Sequence, residues 1–128
     1  MDKEAVRTEA APARFQGAPY SQAIKAGGLV FVSGQLALQA GADGLAGEGI
    51  AEQTEQVFAN LRAILDAAGS GLDRIVKTTV YLRDLADFQE MNAVYRKYVG
   101  DLPPARATIE VSALPSGALV EIDAIALA

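Results

Sequence analysis

The chain carries two periodicities. Ile50, Val57, Leu61, Ile64, Leu65 and Ala68 recur at helical spacing, so residues 50–68 read as an amphipathic helix. Glu52 and Glu55 fall early, where the helix dipole favours acids, and Gly69 ends it. A second helix is expected from Leu85 to Val99, capped by Asp84 and closed by Gly100, with Arg96 and Lys97 in its last turn. Its apolar stripe runs through Leu85, Phe88, Met91, Tyr95 and Val99, and Asn92 falls inside that stripe. An Asn aimed at packed surface needs hydrogen-bond partners, which leaves a structural bond and a role in a site equally open.

Alternation of apolar and polar positions marks the strands. Residues 1–13 read as a loose or edge segment. Pro19 then breaks regular structure and presents Tyr20 just before a strand. Ser21–Ala26 and Leu29–Ser33, joined by Gly27-Gly28, form a hairpin pattern with a two-glycine turn. The second arm is apolar on both faces, so it should be central, and it runs out into Ser33-Gly34-Gln35. The glycines between 41 and 49 lack the endings of phosphate-binding loops and read as a surface loop.

Ile75–Arg83 is a third strand, with Val76, Thr78, Val80 and Leu82 on one face and Lys77, Thr79, Tyr81 and Arg83 on the other. Pro103-Pro104 is a stiff entry to a fourth, in which Arg106, Thr108 and Glu110 alternate with Ala107, Ile109 and Val111. Leu119–Ile125 is the last strand and carries Glu121 among apolar neighbours. The order strand, strand, helix, strand, helix, strand, strand predicts an α+β fold with one mixed sheet and two helices on one face. A chain of 128 residues suggests a single domain, and its other sheet face would be bare unless copies assemble.

Composition narrows the chemistry. There is no Cys and no His, so disulfides, thiolate nucleophiles, Ser–His–Asp triads and histidine- or thiolate-held metals are excluded. A hard cation held by carboxylates alone stays possible, without the spacing of a calcium loop. A net charge of −5 argues against nucleic acid as a partner. The N-terminal stretch lacks the apolar run of a signal peptide and no stretch approaches a membrane span, so a cytoplasmic protein is the expectation.

Arg106, the first polar residue after the rigid prolines, is well placed to hold a planar carboxylate by two parallel hydrogen bonds. Glu121, on a strand expected to neighbour it, has the chemistry to move protons. The plain alternative is a surface strand with a solvated Arg and an Arg–Glu ion pair.

Several motifs, taken in order, carry a family likeness: Pro19-Tyr20-Ser21-Gln22, Val32-Ser33-Gly34-Gln35, Ile75–Leu82, Met91-Asn92-Ala93-Val94-Tyr95, Pro104-Ala105-Arg106 and Val120–Ala126. Through them the chain, from about Arg14 to Leu127, resembles the RidA/YjgF family of small reactive-imine deaminases. The resemblance implies a chorismate-mutase-like homotrimer whose sheets form an inner barrel, with clefts between subunits that bind small carboxylates. It implies that Arg106 grips the substrate carboxylate and that Glu121 assists water and proton transfers. Tyr20, Ser33, Gly34 and Asn92 would line the cleft, and Thr108 would contribute backbone groups to the water.

Three positions depart from the family pattern: Ala18 where Gly often precedes Pro-Tyr, Leu36-Ala37 where Ile-Pro often follows the Gln, and Thr108 where many members have Cys. The last removes any thiol-based regulation. The function implied is cofactor-free hydrolysis of 2-imino acids and their enamine tautomers, such as 2-aminoacrylate, to 2-keto acids and ammonia. A carboxylate anchor, a positioned water and one proton shuttle suffice for a substrate this reactive. The alternatives are a non-catalytic carboxylate-binding trimer, a pathway-specific deaminase of a larger unsaturated amino acid, and, disfavoured by the acidic chain and missing His, a ribonuclease.

Overall fold

Two helices lie on one face of a six-stranded sheet in the computed structural model of the chain, which describes residues 2–128. The strands are β1 (Glu4–Val6), β2 (Ala23–Ala26), β3 (Leu29–Gln35), β4 (Ile75–Leu82), β5 (Ala105–Glu110) and β6 (Val120–Leu127), and the helices are α1 (Ile50–Ala67) and α2 (Phe88–Val99). Across the sheet the order is β1-β2-β3-β6-β4-β5. Only β4 and β5 run parallel, joined by the crossover through α2, and all other pairs are antiparallel. Among the described residues no helix is long and apolar enough to cross a membrane.

The predicted elements are present with local adjustments. Gly27 and Gly28 both take positive φ, 60° and 78°, which a two-residue turn between twisted strands requires. The N-terminal segment contributes β1 as the edge strand beside β2. Asp84 caps as expected, its carboxylate accepting from the Ala86 N–H at 2.9 Å, but the first turn is a 3-10 helix over Leu85–Asp87 and α2 proper begins at Phe88. Leu85 therefore leaves the apolar stripe and is 47% exposed. Val76 is likewise not on the buried face of β4. Ile75 pairs with Ala126 and Lys77 with Ile125, so Val76 bulges out of register and is exposed.

The core lies between the helices and the sheet face built from Val30, Val32, Val80, Leu82, Ile122 and Ala124, all buried. From α1 it receives Val57, Phe58, Leu61, Ile64 and Leu65, each fully buried and each worth about 1.5–3 kcal/mol relative to exposure. Phe58 links the helices, edge-on to Tyr95 and stacked on Tyr98 at 4.7 Å. On the outer surface Lys97 and Tyr98 of α2 both donate to the Glu55 carboxylate of α1 and hold its pKa down.

Among the described residues no element covers the opposite sheet face. Phe31, Ile109 and Leu127 lie there, 42%, 45% and 43% exposed. In β5 the apolar residues Ala107 and Ile109 face out on this side, while Arg106 and Thr108 point under α2 and are half-buried.

One polar contact ties α1 to the chain leaving β3. Asn60 is buried, and its amide donates to the carbonyls of Leu36 and Leu38 at 2.9 and 2.7 Å. Replacing Asn60 by Ala strands a buried carbonyl, so we expect a loss of about 1–3 kcal/mol, read as a lower midpoint in urea unfolding.

Candidate functional site

The proposed site residues fall into two groups, because strand register sends them to different faces. Arg106 pairs with Thr78 of β4, which pairs with Ala124 of β6; Thr78 and Ala124 are buried on the helix side. Glu121 pairs with Tyr81, which pairs with Ile109, and these three point away from the helices. Glu121 and Arg106 therefore lie on opposite faces of the sheet. The strand of Glu121 is not the neighbour of β5 either, since β4 stands between them. The Arg–Glu ion pair of the alternative reading does not form within the chain; among the described residues the only ion pair joins Lys97 and Glu55.

The Arg106 group sits at the β5 edge under α2. Arg106 Nη1 donates to Asn92 Oδ1 at 2.8 Å, so the Asn inside the apolar stripe serves the guanidinium. The guanidinium carbon lies 4.7 Å from the Tyr95 ring centroid and 5.6 Å from that of Phe88. At such distances an aromatic face attracts the cation, contributing about 0.5–2 kcal/mol. Tyr95 is itself held, its hydroxyl sharing a 2.6 Å hydrogen bond with Thr78 Oγ1 in the core. Burial pushes the Tyr95 phenol above its ordinary pKa, against the opposing pull of Thr78 and Arg106, so it stays protonated. A cleft of about 490 Å³ opens beside Arg106, walled by Asn92, Tyr95, Val99 and Pro103-Pro104. Thr108, two residues on, points to the same side, and its hydroxyl is buried with no hydrogen-bond partner among the described residues.

The Glu121 group sits around a bulge. Val32 pairs with Ala124 and Gln35 with Ile122, so Ser33 and Gly34 together oppose the single residue Asp123. This brings the Gly34 Cα against Glu121, and a Cβ built there would overlap the Oε2 of that carboxylate and stand 2.8 Å from its Cδ. Gly34 is thus a close-approach glycine. Ser33 Oγ donates to the Ser21 carbonyl at 2.6 Å, and its N–H to Gln22 O at 3.0 Å, binding the bulge to the segment after Tyr20. Burial, reinforced by the charge of Asp123, raises the Glu121 carboxyl above its ordinary pKa. Asp123 accepts from Tyr81 Oη at 2.9 Å, which raises the Tyr81 phenol in turn.

Tyr20 is partly exposed beside this group. Its phenol oxygen accepts from the Phe15 N–H at 2.5 Å, and it shares a small 30 Å³ cavity with Gly34, Gln35 and Phe15. Ala18 is extended, at φ −61° and ψ 155°, so the glycine common at this position in the family is not needed for the backbone.

Phe88 and Tyr95 were legible only as core residues. Their spacing with Asn92 (i, i+4, i+7) was the available signal, since it puts an amide between two rings on one helix face. The Tyr81–Asp123 bond had no local signature, because it depends on the register of β4 against β6.

Comparison with known proteins places these residues in context. The family model described as Endoribonuclease L-PSP matches residues 8–128. A RutC family protein of Pyrococcus abyssi is 48% identical over 98% of each chain. Reactive Intermediate Deaminase A, chloroplastic, of Arabidopsis thaliana is 49% identical over 98% of this chain and 66% of its own length. The mouse 2-iminobutanoate/2-iminopropanoate deaminase is 41% identical over 98% of this chain and 91% of its own. Among solved structures, an Entamoeba histolytica protein described as an endoribonuclease L-PSP superposes with a TM-score of 0.94 at 42% identity, covering 99% of this chain and 100% of that one. Escherichia coli TdcF with bound serine superposes at 0.91 and 31% identity, over 98% of both chains.

The close approach at Gly34 is testable without an assay. In Gly34→Ala the new methyl meets only the end of a flexible side chain, so the fold should persist while the Glu121 carboxylate is displaced. Carbon-13 NMR titration of the Glu121 carboxyl should then show its pKa falling toward the ordinary glutamate value. An unchanged titration would place that carboxylate elsewhere.

Proposed function

The chain belongs to the endoribonuclease L-PSP family, the RidA/YjgF proteins, and from that premise we propose that it hydrolyses 2-imino acids and their enamine tautomers to 2-keto acids and ammonia, without a cofactor. The observation that carries this reading is the framed guanidinium of Arg106, bonded to Asn92, resting on two rings and bordering a cleft. Such a group is preorganised to take a carboxylate through its free N–H donors. The serine bound to TdcF, a small amino acid, supports a small carboxylate as the ligand class here.

In this proposal water adds to the imine carbon, and Glu121 takes one of its protons and returns it to the nitrogen. Glu121 then takes the hydroxyl proton of the resulting carbinolamine and delivers it to the nitrogen as the carbon–nitrogen bond breaks, which releases ammonia and leaves the keto acid with the carboxylate unchanged. A carboxyl whose pKa is raised by burial gives up a proton less readily and so is better suited to returning one. Tyr20, Ser33 and Gly34 shape the surroundings of Glu121, and the Thr108 backbone helps hold the water.

Arg106 and Glu121 lie on opposite faces of their own sheet, so a complete site draws them from different copies. We infer a homotrimer in which the uncovered face, with Phe31, Ile109 and Leu127, is buried between subunits. The chain would act as one domain.

Two sets of variants test this. With the trimer verified by sedimentation equilibrium, Arg106→Lys should lose roughly ten- to several-hundredfold in kcat/KM for imine hydrolysis, and Arg106→Ala more, because lysine keeps charge but not the planar fork. Trimeric variants matching wild type would reduce Arg106 to a surface charge. Glu121→Gln should lower kcat far more than it weakens keto-acid binding.

The same variant has a stability signature. A carboxyl whose folded pKa is raised stabilises the fold fully only below its unfolded pKa, and loses that contribution as pH rises through the folded value. Glu121→Gln should therefore be more resistant to denaturant than wild type at neutral pH, with the gap closing in acid. A variant less stable at neutral pH would mean that the ionised carboxylate is a structural partner.

A further inference from the structure

A second arginine, Arg96, borders the cleft beside Arg106. Asn92, Arg96 and Val99 recur at i, i+4 and i+7 along α2 and border the cleft together with Asp101, Pro103 and Pro104. Arg106 stands at the Asn92 end. Arg96 lies one turn further along the same helix face and makes no ion pair or side-chain hydrogen bond among the described residues. A basic residue in a last turn has an ordinary use, since it offsets the negative end of the helix dipole. Lys97 already supplies that charge from the neighbouring position, and it is committed to Glu55 outside the cleft. Arg96 is the cation of that turn that borders the cavity.

On the single chain this groove measures about 490 Å³. With two arginines and one aspartate bordering it, its formal charge balance is positive in a chain whose net charge is −5.

We propose that Arg96 is a specificity-determining residue, and that the cleft selects 2-imino acids whose side chain ends in a second acidic group. The proposal rests on Arg106 holding the first carboxylate. A substrate anchored there extends past Tyr95 along α2, and its distal carboxylate meets the Arg96 fork. A substrate with a short apolar side chain reaches Arg106 alone and leaves Arg96 in water.

The test uses stable 2-keto acids as probes in calorimetric titrations of the intact protein: 2-ketoglutarate for the dicarboxylate and 2-ketobutyrate for the monocarboxylate. Wild type should favour 2-ketoglutarate by about two- to fivefold, the scale of one exposed charge pair. That preference should shrink as salt is raised. Arg96→Ala should bring the ratio of the two affinities close to one, and Arg96→Lys should restore part of it, which a purely structural role for Arg96 would not produce. Arg106→Ala should weaken both ligands. Should Arg106→Ala weaken both while Arg96→Ala leaves the ratio at its wild-type value, the selectivity role is overturned and the carboxylate grip stands. Should Arg106→Ala leave both unchanged, the grip falls and this proposal falls with it.

Discussion

The alternation along β6 constrains everything else in this structure. The strand is hydrogen-bonded on both sides, by β3 and β4, so it cannot slip by one residue without moving its whole apolar set to the other face. Val120, Ile122, Ala124 and Ala126 are buried under the helices, and this fixes Glu121 and Asp123 on the face the helices leave open. Through the pairing with β4 the same register aligns Tyr81 beside Glu121 and sets Thr78 under Tyr95. Through β5 it decides which side Arg106 takes.

The two chemical groups differ in how they are held. Arg106 is oriented by an amide and two aromatic faces, an arrangement that leaves part of the guanidinium fork available. Glu121 is held by exclusion: the glycine backbone at the bulge makes room for its carboxylate, and burial beside Asp123 favours its protonated form. One group suits a permanent anchor for an anion and the other a proton that comes and goes. In the proposed trimer the uncovered apolar face and the pairing of these two groups would both involve a neighbouring copy.

Thr108 illustrates how a departure from the family pattern can be locally quiet. Its side chain lies on the Arg106 side of β5 with its hydroxyl buried and unpaired, which carries a desolvation cost of about 1–3 kcal/mol. Nothing in the fold around it depends on a thiol. Ala18 is similar, since its backbone is extended and asks nothing that only glycine supplies.

Much of the fold was legible in the residues themselves. The helical spacing of Val57, Leu61 and Leu65, the Asp84 cap, the two-glycine turn and the alternation around Arg106 and Glu121 are local signals, each set by neighbours a few residues away. The absence of His and Cys also delimited the chemistry before any geometry was known. The tertiary structure decided what local patterns cannot. It moved Val76 out through a bulge and replaced the first turn of α2 with a 3-10 helix. It gave the core residue Tyr95 and its neighbour Phe88 a second use as the frame of Arg106, and it put Glu121 on the opposite face with a strand between them. The reason is that face and neighbour in a sheet depend on strand order and register, which arise from pairings between residues far apart in the chain.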